Sequence, residues 1–286
     1  MKNMMKKMLC GAAALCLMAS AAVAEFDAGK QIDVISREDG SGTRGAFVEL
    51  TGVEQKIDGK KVDMTTEDAQ ITNNTAVMMT TVAGDTYAIG YISLGSLNDS
   101  VKAVKVAGVE ATAENVKSGA YKVARPFNIA WKEDALSNAG KDYIAYILSS
   151  EGQAIVNANG YVGSDDAAAY EAADVTGKVV VAGSSSVSPV MEKLAEAYMA
   201  ANANVEIEIQ TSDSTTGMTS AMEGVCDIGM ASRELSEEEA AELTPVKIAL
   251  DGIAVIVNPE NALNDLSAEQ VCSIFTGEIT DWSELG

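Results

Sequence analysis

The sequence predicts an α/β protein. Short apolar strands alternate with amphipathic helices along most of its length. Three strand–helix junctions carry Ser-, Thr- and Gly-rich loops without a lysine. With 286 residues and 47% hydrophobic content, the chain can form one or two domains around a sizeable core.

Residues 1–24 read as a signal peptide. Lys2, Lys6 and Lys7 form a basic start, Met8 to Met18 is mostly apolar, and Ala22-Val23-Ala24 is a small-x-small cleavage site before Glu25. The apolar run is short for a bilayer span, and a leucine precedes both Cys10 and Cys16, which is a poor lipoprotein context. A periplasmic or secreted protein is expected, with an uncleaved N-terminal anchor as the alternative. Cleavage removes three lysines and no acid, moving the formal charge from −22 to −25. Such a surface argues against nucleic acid and anionic membranes as partners. After cleavage Cys226 and Cys272 remain, either paired or as two small buried residues. The chain has no histidine and no metal-ligand spacing, which removes Ser-His-Asp catalysis and imidazole metal sites.

The first junction is the most informative. Ile32 to Ile35 reads as a strand and Gly45 to Leu50 as the start of a helix, with Ser36-Arg37-Glu38-Asp39-Gly40-Ser41-Gly42-Thr43-Arg44 between them. The first N–H groups of a helix lack internal partners and carry the positive end of its dipole, so such a junction suits an anion. Ser41 and Thr43 add hydroxyls and Arg37 a forked guanidinium. Two of the four arginines lie in this loop. The plainer alternative is a solvated Ser/Gly turn.

In chain order, Thr72 to Val82 is a helix with Val77, Met78 and Val82 on one side. Tyr87 to Ile92 and Val101 to Val106 are strands, and Ala113 to Lys117 is one helical turn. Tyr121 to Trp131 is extended through Arg125-Pro126. Lys141 to Leu148 and Gly152 to Val156 are helical. Asp165 to Thr176 is polar and aperiodic, either a joint or a surface helix. The opening pattern then recurs twice. Lys178 to Val181 leads through Gly183-Ser184-Ser185-Ser186 to a helix bearing Val187, Met191, Leu194 and Tyr198. Val205 to Ile209 leads through Thr211 to Gly217 to a helix marked by Met218, Met222 and Val225. One such loop is no more than a helix cap; three suggest loops converging on a ligand at the C-terminal edges of strands. Asp227 to Arg233 is a short strand and turn, Lys247 to Val257 a long strand interrupted by Asp251-Gly252, and Ala268 to Phe275 a helix.

These residues resemble the phosphate-binding protein of bacterial phosphate ABC transporters, a type II periplasmic binding protein. The match rests on Arg37-Glu38-Asp39-Gly40-Ser41-Gly42-Thr43, Ala88-Ile89-Gly90-Tyr91, Gly183-Ser184-Ser185-Ser186, Asp227-Ile228-Gly229, and Ile274-Phe275-Thr276-Gly277 with Asp281-Trp282. The order departs from that of the usual family, where the segment like 178–286 precedes the one like 31–162. This looks like a circular permutation; a fragment cut from a tandem array is the rival. The resemblance implies two lobes, each a mixed sheet flanked by helices, joined by two hinge strands, with ligand in the cleft. The crossings map near Tyr121–Phe127 and Lys247–Ile253. One lobe is then residues 25–121 with 253–286, and the other 122–252.

By the same resemblance, Arg37 pairs with phosphate, Ser41, Thr43 and the Gly42 N–H donate to it, and Ser185, Ser186, Ser214 and Ser232 contribute from the opposite lobe. Asp39 is expected to accept the proton of HPO₄²⁻ and to repel sulfate, which has none; its alternative role is to cap the Gly40 turn. The implied activity is capture of inorganic phosphate by cleft closure and delivery to an ABC permease, as a monomer, with no cofactor and no membrane span after cleavage. Sulfate, molybdate or tungstate is the alternative ligand. A phosphoryl-transfer enzyme is a reading from another class, but the loop lacks Walker A spacing and its lysine. A sensor or adhesion protein that keeps the fold is a further one.

Overall fold

The computed structural model describes residues 26–285, so the signal-peptide reading of residues 1–24 lies outside the described residues. The chain opens with β1 (Asp33–Arg37), α1 (Gly42–Thr51), a hairpin of β2 (Glu54–Ile57) and β3 (Lys60–Asp63), β4 (Gln70–Thr72), α2 (Thr75–Gly84), β5 (Ala88–Ser93), β6 (Lys102–Val106) and α3 (Ala113–Lys117). It crosses on β7 (Ala124–Trp131) and builds α4 (Asn138–Leu148), α5 (Ser150–Ala158), β8 (Gly177–Ser184), α6 (Ser188–Ala201), β9 (Val205–Ser212), α7 (Ser214–Glu223), β10 (Ile228–Ala231) and α8 (Glu237–Glu242). It returns on β11 (Thr244–Val257) and ends with β12 (Asp265–Leu266) and α9 (Ala268–Phe275).

The strands form one hydrogen-bonded path, β4-β1-β5-β11-β7-β10-β8-β9, with β6 also on β11 and β12 on β6. Within each lobe the sheet is mixed: β4, β1 and β5 run parallel, as do β9, β8 and β10, while β11 and β7 run against them. The first half of β11 pairs with β7 and its second half with β5 and β6, so these two strands carry the chain between lobes. β11 runs unbroken through Asp251-Gly252, because both residues have partners on β7, Arg125 and Ala124. β5 and the second half of β11 are paired on both edges and buried on both faces, which explains their continuous apolar runs.

Buried apolar side chains divide along the same seam. One cluster draws on residues 32–123 and 253–282, and the others on 127–249. In the first, Phe47 of α1 stacks on Tyr91 of β5 at 4.0 Å, and Phe275 of α9 meets Phe47 edge-on at 4.7 Å. Emptying such a site by Phe→Ala costs about 3–5 kcal/mol. The two ends of the described chain meet: the Ile32 N–H donates to the Thr280 carbonyl at 2.7 Å, the Trp282 N–H to that of Lys30 at 3.1 Å, and Phe26 packs on Trp282 at 5.7 Å.

Of the two alternatives for residues 165–176, the structure excludes the helix: they form neither helix nor strand, and Tyr170 ties them down by donating to Asp142 at 2.7 Å. The β2–β3 hairpin and α8 went unseen, because both are mostly exposed and carry no apolar periodicity. Cys226, under α7, and Cys272, on α9, are both free and belong to different lobes.

Candidate anion-binding site

The site begins where β1 meets α1. Gly40 takes φ +85°, a left-handed turn that reverses the chain into the helix. Ser41 is the N-cap of α1, its hydroxyl accepting from the Arg44 N–H at 3.3 Å. The N–H groups of Gly42 and Thr43 stand in the first turn, where no helical partner exists. Tyr91 fixes the strand end from beneath: its hydroxyl accepts from the Arg37 N–H at 3.2 Å and lies 2.8 Å from the Ser36 hydroxyl. Burial pushes the Tyr91 phenol up to about 12, so it stays a neutral partner.

Across the seam, β8 ends at Ser184 and β10 at Ala231, which brings the Ser185-Ser186 and Ser232 turns against α1 and α2. The Thr43 Oγ1 lies 2.8 Å from the Ser186 Oγ and 3.3 Å from that of Ser232. Arg37 donates from Nη2 to the Ser185 Oγ at 3.2 Å. Ser232 donates its N–H to the Ser214 Oγ at 3.0 Å, and the Ser184 hydroxyl donates to the Ser232 Oγ, also at 3.0 Å. A Cβ on Gly42 would stand 2.4 Å from the Ser214 Oγ and 2.9 Å from that of Ser232, so only glycine lets the lobes approach this closely. Thus Arg37, Gly42, Thr43, Ser185, Ser186, Ser214 and Ser232 come together. Ser41 is buried behind them as a helix cap.

Asp39 does not join them. Its side chain is 99% exposed and paired with Arg44 at 3.1 Å. It stands just before the Gly40 reversal, while the residues after that reversal carry the donors inward. The carboxylates that flank the site are the half-buried Glu38 and the buried Asp251. Glu38 accepts both Nε–H and Nη2–H of Arg37 at 2.7 Å, a bidentate pair. Asp251 pairs with Arg125.

Three residues of the site were missed. Thr75, the first residue of α2, directs its N–H to the Ser185 Oγ at 3.3 Å, and its hydroxyl lies 3.3 Å from those of both Ser185 and Ser186. Asn73-Asn74-Thr75 after β4 was a fourth strand–loop–helix junction that could have revealed it. Arg125 and Asp251 face each other on the crossing strands, and Arg125 donates from Nη2 to the Thr43 Oγ1 at 3.0 Å. The signal was an arginine inside an apolar strand, which has to be paired when buried. Burial raises the Asp251 carboxyl, against the pull of Arg125.

The cluster therefore offers hydroxyls and helix-start N–H groups from both lobes, and two guanidinium groups already matched by carboxylates. The Nη1 donors of Arg37 have no protein acceptor among the described residues. Convergent donors without net charge suit a small oxyanion, held by direct hydrogen bonds and not by the general field of an acidic protein. Among the described residues no group of His, Cys, Asp or Glu side chains is placed to hold a metal ion.

Two α/β lobes on paired crossing strands, with donors of both lobes meeting at the seam, define a ligand-capturing binding protein. The family model described as a PBP superfamily domain matches residues 13–151 and 168–286. The phosphate-binding protein PstS 2 of Streptococcus agalactiae serotype V is 58% identical over 256 residues, which covers 89% of this chain and 87% of that protein. The crystal structure of a phosphate-binding protein of a phosphate ABC transporter from Streptococcus pneumoniae TIGR4 matches with a TM-score of 0.72 at 46% identity, covering 90% of this chain and 100% of that one. The phosphate-binding protein PstS of Bacillus subtilis is 35% identical over 126 residues, covering 43% of this chain and 41% of that protein. The chain belongs to the PBP superfamily and, within it, to the PstS family of phosphate-binding proteins.

Proposed function

We propose that this protein captures inorganic phosphate outside the cytoplasm, by closure of its two lobes, and delivers it to the ABC permease of a phosphate importer. The observation that carries the reading is the meeting of Arg37, Thr43 and Thr75 with Ser185, Ser186 and Ser232 across the seam. Closure needs only that the anion bind the closed arrangement better than the open one. The protein performs no chemistry on its ligand; its relatives are named as binding proteins. Among the described residues no helix is long and apolar enough to cross a membrane. Export by a cleaved signal peptide and action as a monomer complete the reading.

The lobes are taken as residues 25–121 with 253–286, and 122–252, a division supported by the separation of the apolar clusters. A circular permutation relative to part of the family is supported by two observations. The Bacillus subtilis relative aligns over less than half of each chain, while the Streptococcus agalactiae relative aligns over most of both. The adjacent ends, with Ile32 bonded to Thr280, permit such a rearrangement.

A second reading keeps the site and changes the anion to sulfate, molybdate or tungstate. The surface position of Asp39 favours it, since the carboxylate expected to reject sulfate is not at the seam. Thermal denaturation of refolded protein against a panel of these anions decides. A ligand specific for the native state adds about 2.7 kcal/mol at 100 times its dissociation constant. Phosphate is expected to stabilise most; stabilisation by another oxyanion alone, or by none, overturns the proposal.

A further inference from the structure

We propose that Arg125, held by Asp251, is a positioning residue of the anion site: a latch that ties the crossing strands to one donor from each lobe. The inference rests on the phosphate-binding reading. Arg125 on β7 and Asp251 on β11 are direct register partners, and their side chains are 3% and 0% exposed. The Arg125 Nη1 donates to the Asp251 carboxylate and, at 3.4 Å, to the Gly252 carbonyl. The second Asp251 oxygen accepts the Gly95 N–H at 3.3 Å. The remaining contacts leave the hinge. Nε donates to the Ser232 carbonyl at 3.0 Å and Nη2 to the Thr43 Oγ1 at 3.0 Å.

Two consequences follow from donor and acceptor counting. A guanidinium only donates, so it fills a lone pair of Thr43 and turns that hydroxyl's own proton away from itself, toward the cluster it shares with Ser186. The same plane holds the carbonyl of Ser232, whose N–H and hydroxyl belong to the opposite wall. Thr43 stands at the head of α1 and Ser232 after β10, in different lobes, so a rotation that parts the lobes must break one of these two bonds. The buried charge of Arg125 is balanced within the hinge by Asp251, so the latch adds oriented donors without adding net charge. Phe127, 4.9 Å below the guanidinium, keeps its plane fixed.

The test compares wild type with Arg125→Lys, Thr43→Val and the double variant by calorimetric phosphate titration, and by small-angle X-ray scattering with and without phosphate. Lysine keeps the charge but cannot span the four acceptors. Hydrogen bonds to charged groups contribute about 1.5–3 kcal/mol, so Arg125→Lys should weaken phosphate binding about tenfold to a hundredfold. The double variant should lose clearly less than the product of the single losses, because Arg125 acts through Thr43. The phosphate-free Arg125→Lys protein should also scatter as a larger particle than wild type. Wild-type affinity and scattering in Arg125→Lys, or fully multiplicative losses, overturn the latch. If wild type binds no phosphate, the functional reading fails, and the scattering comparison alone then supports or overturns the latch. Should Arg125→Lys not fold, the paired change Arg125→Met with Asp251→Leu removes both buried charges together, which such pairs often tolerate; the same readings of affinity and scattering then decide.

Discussion

Thr43 and Ser186, 143 positions apart in the chain, place their hydroxyl oxygens 2.8 Å apart across the seam between the lobes. Each follows a strand end, one at the head of α1 and the other just before α6. The contact exists only while the lobes are together, so what seals the cleft also lines the anion site.

Asp39→Asn should leave the preference for phosphate over sulfate within about threefold of wild type, since exposed substitutions rarely exceed 0.5 kcal/mol. Asp39 is exposed, and its only ion pair among the described residues is with Arg44, a surface contact of small value. Parallel titration of both anions at one pH and salt checks this. A large gain in sulfate affinity would return Asp39 to the site.

Gly42→Ala should weaken phosphate binding by about 1–3 kcal/mol, the usual cost of overpacking. The added methyl meets the Ser214 and Ser232 hydroxyls of the opposite lobe at 2.4 and 2.9 Å. Far-UV circular dichroism should be unchanged, because the conflict arises between lobes and not within α1. Undiminished affinity would mean that ligand binding does not need this approach.

Both thiols should be slow to react in the native protein. Burial pushes the Cys226 thiol up to about 11 and also raises that of Cys272. At pH 8 about one Cys226 in a thousand is then a thiolate, the nucleophilic form. Ellman titration of the chain from Glu25, which lacks Cys10 and Cys16, should count two thiols after denaturation and almost none before. A count of zero after denaturation would mean that the two pair.

Part of the unfolding at low pH should come from Glu239. Burial alone would raise its carboxyl, but the Arg233 guanidinium, at 2.7 and 2.8 Å, outweighs this and holds it below the usual carboxylate range. A depressed folded-state value gives stability that is present above the unfolded value of about 4.3 and is lost as pH falls through the folded one. Melting temperature against pH from 7 to 3 should therefore fall less steeply, from a lower start, in Glu239→Gln than in wild type. Parallel curves would exclude Glu239 from the acid transition.

The alternation of strands and helices and the seam-lining loops were legible in the sequence because each is a local pattern. Val187, Met191, Leu194 and Tyr198 repeat on one helix face, and all four are fully buried. The loop after β8 was readable from Ser185 and Ser186 alone. The placement of Asp39 was not legible, because a carboxylate's direction depends on one backbone turn, and the side chain before Gly40 stands in solvent. Arg125 inside an apolar strand signalled a buried partner, but Asp251 was not legible as that partner, since 126 positions separate them and only the register of β7 on β11 joins them. Thr75 lies inside the helix expected over Thr72 to Val82, whereas β4 ends at Thr72 and α2 begins at Thr75, which makes Thr75 the end of a short loop.

Calorimetric titration of refolded wild-type and Arg37→Ala protein with inorganic phosphate tests the central claim most directly. Arg37 is 2% exposed and bonded to Glu38 and Ser185, and its Nη1 donors have no acceptor among the described residues. The predicted result is saturable binding of one phosphate per wild-type chain, weakened by about 2–5 kcal/mol in the variant, the range for losing one member of a buried charge pair. Equal phosphate affinity in the two proteins, or no binding to the refolded wild type, would contradict it.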